Sequence, residues 1–302
     1  MTMSCLEVDD LQPVAIDRIL ANAISWKAKP ATIPKVLTGL GAALVFEKPS
    51  ARTRTSMEMA VVTLGGHPVY IRPEEVGLDT RETVEDVART LAGYTALIAA
   101  RTFAHTTLVR MMTVVDVPVV NLLSDAAHPC QALADMLTLR ERFGEVGGRR
   151  LAFVGDGNNV AASLAYACAL TGMEFAIASP AGYELPEVVV ERARNLGGTV
   201  DTFVEPGDAV ESADVVYADV FSSMGQETER DERREIFARY EVDDLLMKGA
   251  KPDAAFMHCL PAHRGEEVSA SVIDGPQSIV WQQAANRMDS VRALVVELLG
   301  GV

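Results

Sequence analysis

Four short clusters carry residue types that can do chemistry, and each follows a short apolar run. In FEKPSARTRTSMEMA (46–60), Ser50, Arg52, Thr53 and Arg54 crowd the predicted start of a helix. Free N–H groups and the positive dipole end favour an anion there, and two first-turn arginines oppose the dipole unless a ligand compensates them. The bland alternative is a capped helix with solvated arginines. In HPCQALADMLTL (128–139), Pro129 suits a first helical turn, setting His128 at the start and Gln131 one turn along. A neutral His and a Gln amide can both donate to a carbonyl oxygen, as an oxyanion hole requires, or can serve as a cap and a buried polar group.

The third cluster, FVGDGNNVAASL (153–164), superficially suggests dinucleotide binding. However, Gly155 and Gly157 are followed by Val160 rather than a third glycine, and no acidic residue ends the next strand. Asn158 and Asn159 instead offer amides at a strand's carboxyl edge. The fourth, MHCLPAHRGEEV (257–268), holds His258, Cys259 and His263. Adjacent His and Cys point poorly at one metal and no C-x-x-C partner exists, so no metal is expected. Cys259 reads as a reactive or contact residue, with a buried structural thiol as the alternative. ADVFSSMGQE (218–227) presents Asp219, Ser223 and Met224 on a loop. Arg101 ends an apolar run and Arg287 opens the predicted final helix; surface pairing or solvation would account for either.

The elements that must position these residues alternate. Predicted strands at 41–46, 67–71, 96–100, 117–123, 150–156, 174–179, 199–204, 215–220 and 254–260 are nearly continuously apolar or β-branched. That is the pattern of strands buried on both faces. Helical patterns intervene at 54–64, 81–93, 129–143, 158–171, 186–196 and 287–299. Such alternation predicts an α/β fold of two doubly wound domains, each with a mainly parallel sheet flanked by helices. The Gly- and charge-rich stretch 143–150 reads as a hinge between them. In such folds ligands bind beyond the carboxyl ends of the strands, where all four clusters sit.

Composition bounds the function. The 302 residues are 49% hydrophobic and 23% charged, which suits a globular chain of about two domains. No stretch approaches the ~20 apolar residues of a membrane span, and MTMSCLEVDD lacks the order of a signal peptide. Four cysteines make no disulfide framework, so a cytoplasmic location is expected. A net charge of −15 argues against nucleic acid as a partner. An anionic ligand would therefore need a local positive field.

Together the motifs resemble the aspartate/ornithine carbamoyltransferase family over nearly the whole chain. SARTR (50–54) resembles its S-T-R-T-R motif and HPCQ (128–131) matches H-P-x-Q. HCLP (258–261) and DVFSSMGQE (219–227) resemble the ornithine branch. The resemblance implies transfer of a carbamoyl group from carbamoyl phosphate to the δ-amine of L-ornithine, giving L-citrulline and phosphate, a step of arginine metabolism. It implies carbamoyl phosphate held by Ser50, Ala51, Arg52, Thr53, Arg101, His128, Gln131 and Arg287, and ornithine by Asn159, Asp219, Ser223, Met224, Cys259 and Leu260. Arg52, Arg101, His128, Gln131 and Cys259 would be catalytic, Cys259 either taking a proton or orienting the amine. No metal or organic cofactor is implied. The donor domain would span 1–143 and the amino-acid domain 144–285, with the last helix (about 286–302) packing back onto the first. A homotrimer, or a higher assembly of trimers, is implied. Ala51, Ala285, Asp289 and Phe221 depart from the family pattern, and the 71–86 loop shows no clear equivalent of the family's Gln, with Glu74 and Glu75 occupying the region. The departures at Ala51, Ala285 and the 71–86 loop motivate one alternative, a binding or regulatory protein without turnover; a related amine such as putrescine or a modified ornithine as acceptor is another.

Overall fold

The computed structural model describes residues 3–222 and 230–300. In chain order its elements begin α1 (Pro13–Ala28), β1 (Gly41–Phe46), α2 (Ala51–Thr63), β2 (His67–Ile71), α3 (Pro73–Val76) and α4 (Val84–Ala92). Next come β3 (Leu97–Arg101), α5 (His105–Thr113), β4 (Val119–Leu123), α6 (Pro129–Phe143), β5 (Arg150–Val154) and α7 (Asn159–Thr171). Then follow β6 (Glu174–Ala178), α8 (Glu187–Asn195), β7 (Thr199–Phe203), α9 (Pro206–Val210) and β8 (Val215–Ala218). The chain ends with α10 (Arg230–Phe237), α11 (Asp244–Met247), β9 (Ala255–His258), α12 (Ala270–Ile273) and α13 (Val280–Leu298).

Two compact units emerge: Met1–Leu137 with Ala285–Val302, and Thr138–Ala284. Each holds one parallel sheet, ordered β2-β1-β3-β4 in the first and β7-β6-β5-β8-β9 in the second. Near-continuous apolar runs form the inner strands, and β1, β3, β5 and β8 are almost wholly buried; β2 and β7, at the sheet edges, are mostly half-buried or exposed. Around them pack Ala43, Val45, Ile98 and Leu108 in the first unit, and Val154, Val216, Phe237 and Tyr240 in the second.

In each sheet the strand order reverses once, between β1 and β3 and between β5 and β8. Those reversals are where open parallel sheets leave a crevice at their carboxyl ends. Register sets what reaches it. Phe46 is level with Arg101, while Ala218 is level with both Val154 and His258. The residues just beyond these ends therefore share one edge in each unit.

Several elements differ from the periodic reading. Helix α1 is anchored by Ile16, Ile19, Leu20 and Ala23 at helical spacing, a signal that lies outside the strand–helix alternation. Helix α2 starts at Ala51, because the side chain of Ser50 caps it. Helix α13 starts at Val280, so Arg287 sits two turns in rather than in the first turn. No helix among the described residues is long and apolar enough to cross a membrane.

The Gly-Asp-Gly turn also finds its explanation in packing. Gly155 adopts φ +138°, which side-chain-bearing residues avoid. A Cβ on Gly157 would fall 2.3 Å from the Leu185 nitrogen and 2.5 Å from the Glu184 carbonyl carbon, so backbone meets backbone there. Gly157→Ala is accordingly expected to lower the melting temperature by roughly 2–10 °C, the effect of a forced backbone shift costing about 1–3 kcal/mol. A thermal melt within 1 °C of wild type (about the scatter of such a scan) would remove the close approach as the reason for this glycine.

Candidate active site

In the first unit the edge is built on Thr53. Ser50 caps α2: its Oγ accepts the Thr53 N–H at 3.3 Å and its hydroxyl reaches Thr53 Oγ1 at 3.0 Å. Thr53 Oγ1 also accepts from Arg287 Nη2 at 2.8 Å and, more weakly, from Arg101 Nη1 at 3.5 Å. Thr53, Arg101 and Arg287 are all buried. Burial, with repulsion from Arg287 and Arg52, pulls the Arg101 guanidinium down to about 10, and its Nε has no partner among the described residues. At neutral pH the group stays charged, so cationic groups face one another at a helix N-terminus. An anion would relieve that repulsion.

His128 and Gln131 stand at the start of α6, both buried. Burial, then Arg287 and Arg101, hold the imidazole of His128 well below its ordinary value, so it is a neutral ring at pH 7. Gln131, expected as a second donor, has one of its two amide N–H groups engaged. Its Nε2 donates to Asp135 Oδ1 at 2.8 Å, one turn along α6, leaving Oε1 buried and without a partner among the described residues. The Gln131 amide thus offers an acceptor. The Q-x-x-x-D spacing that turns it was legible but carried no motif.

Two arginines of the SARTR cluster part company. Arg52 is exposed and close enough to act on Arg101. Arg54 pairs with Glu58 at 2.8 Å and lies 3.7 Å over the Tyr70 ring, so it belongs to the helix surface. Three acidic residues of 71–86 have partners of their own: Glu75 caps the Arg72 N–H at 2.7 Å, and Asp79 and Glu85 both bind Arg110. Ala51 keeps its backbone N–H in the first turn of α2. Asp289 pairs with Arg292 at 2.7 Å, and Arg287 reaches Thr53 with Ala285 in place.

In the second unit the edge is built on Asp219. Asp219 Oδ1 accepts from Val220 N–H and from Cys259 Sγ, both at 2.8 Å; Oδ2 accepts from Asn158 Nδ2 at 2.8 Å. Asn158 also caps α7, its Oδ1 taking the N–H groups of Val160 and Ala161. Asn158 therefore ties the β5 turn to the β8 turn; an Asn just before an apolar helix is the signal for it. Asn159 is the half-buried first residue of α7. Ser223 and Met224 lie outside the described residues.

His258 supports the turn that carries Cys259. Its backbone N–H donates to Gln283 Oε1 at 2.9 Å. Its Nδ1 accepts the Leu260 N–H at 2.9 Å, so the ring proton sits on Nε2, 3.2 Å from the buried carboxylate of Glu267. That contact holds Leu260 at φ +59°. Contrary to the expectation from adjacency, donor atoms of His258, Cys259 and Asp219 do fall within 4.8 Å of one another. Both ring nitrogens of His258 are committed to protein partners, which leaves no lone pair for a cation.

Two family models cover these units: aspartate/ornithine carbamoyltransferase, carbamoyl-P binding domain, over residues 3–141, and the Asp/Orn binding domain of the same family over 147–298. The ornithine carbamoyltransferase of Methanoculleus marisnigri is 44% identical, covering 100% of this chain and 98% of that protein. That of Acidothermus cellulolyticus is 49% identical, over 96% and 95%. The solved ornithine carbamoyltransferase from Pyrococcus furiosus superimposes with a TM-score of 0.94 at 43% identity, covering 100% and 99% of the two chains. On the match of both models and this full-length identity, the chain belongs to the aspartate/ornithine carbamoyltransferase family.

Proposed function

We propose that the chain is a transferase that moves the carbamoyl group of carbamoyl phosphate to the δ-amine of L-ornithine, giving L-citrulline and phosphate. The observation that carries this reading is the convergence of Arg287 and Arg101 on Thr53 Oγ1 at a helix N-terminus. The likeness of the whole chain to ornithine carbamoyltransferases supports the choice of acceptor.

In this proposal the phosphate is held by Ser50, the Ala51 N–H, Arg52, Thr53, Arg101 and Arg287. Arg101 and neutral His128 donate to the carbonyl oxygen, whose negative charge grows as the amine attacks. Donors already in place in a dry setting stabilise that charge without reorganising. Gln131 Oε1 accepts from the carbamoyl NH2, which distinguishes that end of the donor from its oxygen.

The acceptor side uses Asp219 for the α-ammonium, Asn159 for the α-carboxylate, and Ser223 and Met224 for further contacts. Cys259 and the Leu260 carbonyl face the δ-amine. A primary amine of this kind titrates near 10, so only roughly one molecule in a thousand is neutral at pH 7. The Cys259 thiol donates to Asp219; we therefore assign it to orienting the neutral amine rather than to taking its proton. The C–N bond forms, the tetrahedral oxyanion collapses, the C–O bond to phosphate breaks, and the departing phosphate takes the proton released from the attacking nitrogen. No cofactor enters these steps, since carbamoyl phosphate is already activated. A non-catalytic role loses the support it drew from Ala51 and Ala285, because Thr53 and Arg287 stay engaged with both alanines in place. We also propose a cytoplasmic homotrimer, or an assembly of trimers, with no nucleic-acid or membrane partner, acting in arginine metabolism.

A panel of amines with carbamoyl phosphate, read as phosphate release and citrulline, tests the reading; turnover with putrescine or acetylated ornithine but not L-ornithine would reassign the acceptor. Arg52→Ala and Arg287→Ala are each expected to raise KM for carbamoyl phosphate roughly 10–100-fold, the loss of a charged hydrogen bond. Unchanged affinity would take either residue out of the anion site. Asp219→Asn should raise KM for ornithine at least about tenfold and that for carbamoyl phosphate less than about twofold; equal effects would contradict the division of labour. Because the pKa of His128 is depressed, its ring is neutral above that value and gains a proton only well below the ordinary ~6.5. Its NMR resonance should not titrate between about pH 6 and 8 in the free protein. A midpoint inside that window would mean the ring carries charge beside the arginines.

A further inference from the structure

Arg233 belongs to none of the sequence motifs, yet it is only 3% exposed on α10, a helix otherwise dominated by charged residues. Its Nε donates to the Phe221 carbonyl at 2.5 Å, and its Nη2 makes a close ion pair with Asp156 Oδ2. The guanidinium lies 4.7 Å from the Tyr183 ring centroid and 5.3 Å from that of Phe237. Phe221 stacks on Phe237 at 4.7 Å.

The two acceptors come from the two strand ends that flank the reversal in the second sheet. Phe221 is two residues beyond Asp219, in the turn after β8. Asp156 is two residues before Asn158 and three before Asn159, in the turn after β5. One planar cation therefore joins the backbone segments that carry Asp219 and the asparagines. The Asn158–Asp219 hydrogen bond is a second link between the same turns. An aliphatic side chain could fill the space between these rings without desolvating a charge, so a cation here is explained by what it binds. Burial and Asp219 both push the Asp156 carboxyl up, and Arg233 opposes them. Two neighbouring acids are thus tolerated at one edge, with one of them neutralised by a fixed partner.

We propose that Arg233 is a positioning residue for the amino-acid acceptor: it clamps the β5 and β8 turns so that Asp219 and Asn159 are held in the geometry that binds ornithine, without itself touching substrate. The inference rests on reading this edge as the ornithine site.

The test compares full-length wild type with Arg233→Lys, Arg233→Met, Asp156→Asn and the Arg233→Met/Asp156→Asn double variant, measuring both KM values, kcat and melting temperature. Lysine keeps the charge but cannot serve both acceptors in one plane. The expected result is a rise in KM for ornithine of roughly tenfold in Arg233→Lys and more in Arg233→Met, with KM for carbamoyl phosphate within about twofold of wild type. The double variant should be less impaired than the product of its single effects, since the two side chains act through one contact. Should Arg233→Met fail to fold, Arg233→Lys and Asp156→Asn carry the comparison. A lowered melting temperature with both KM values unchanged, or both rising together, overturns the proposal. Wild type that makes no citrulline refutes the substrate reading, and the inference with it; active wild type whose folded variants keep their ornithine KM refutes the inference alone.

Discussion

Parallel pairing brings strands to their carboxyl ends in step, and the chemistry of this chain hangs on that alignment. Phe46 level with Arg101 puts the start of α2 beside a buried guanidinium. Ala218 level with Val154 and His258 puts Asp219 beside Asn158 on one side and Cys259 on the other. A one-residue slip of any of these strands would turn the end residue to the opposite face of its sheet, because side chains alternate with period two. The apolar runs that lock each strand between helices therefore also hold the polar residues that follow them.

The two edges handle charge in opposite ways. In the first unit, cations are buried close together and repel, which depresses Arg101 and keeps His128 neutral. That arrangement is unfavourable alone and would be favourable with a dianion of the kind proposed for it. In the second unit, acids gather at the strand ends, and Arg233 and a set of hydrogen-bond donors satisfy them. The overall charge of −15 bears on neither edge; local placement decides which ligand each attracts.

The departures from the family pattern are absorbed by contacts of ordinary strength. Alanine at position 51 costs a hydroxyl and keeps the N–H; Asp289 takes Arg292 as its partner; Phe221 stacks on Phe237 and sits against Gly155. The glycines that imitate a dinucleotide loop answer to backbone approach and a positive φ. What looked like a phosphate-binding turn is a packing solution that frees Asn158 to cap α7 and bind Asp219.

Residue type and local pattern were enough to locate the described strands, the parallel α/β class and most of the side chains at the two edges, because burial on both faces writes apolar runs into the inner strands, β-branched residues mark an edge strand such as β7, and the polar residues follow the strand ends directly. Local signals also sufficed for Ser50 and Pro129, since a cap or a first-turn proline acts within one turn. Orientation and partnership were not legible there. Gln131 turned its Oε1 inward because one of its amide N–H groups bonds Asp135, Arg54 was drawn to Glu58 and Tyr70, and His258 spent both ring nitrogens on Leu260 and Glu267. Arg233 left no motif at all, since its partners stand 12 and 77 residues away in the chain. Which hydrogen bonds a polar side chain makes depends on neighbours that only folding brings near, and that was settled by tertiary structure alone.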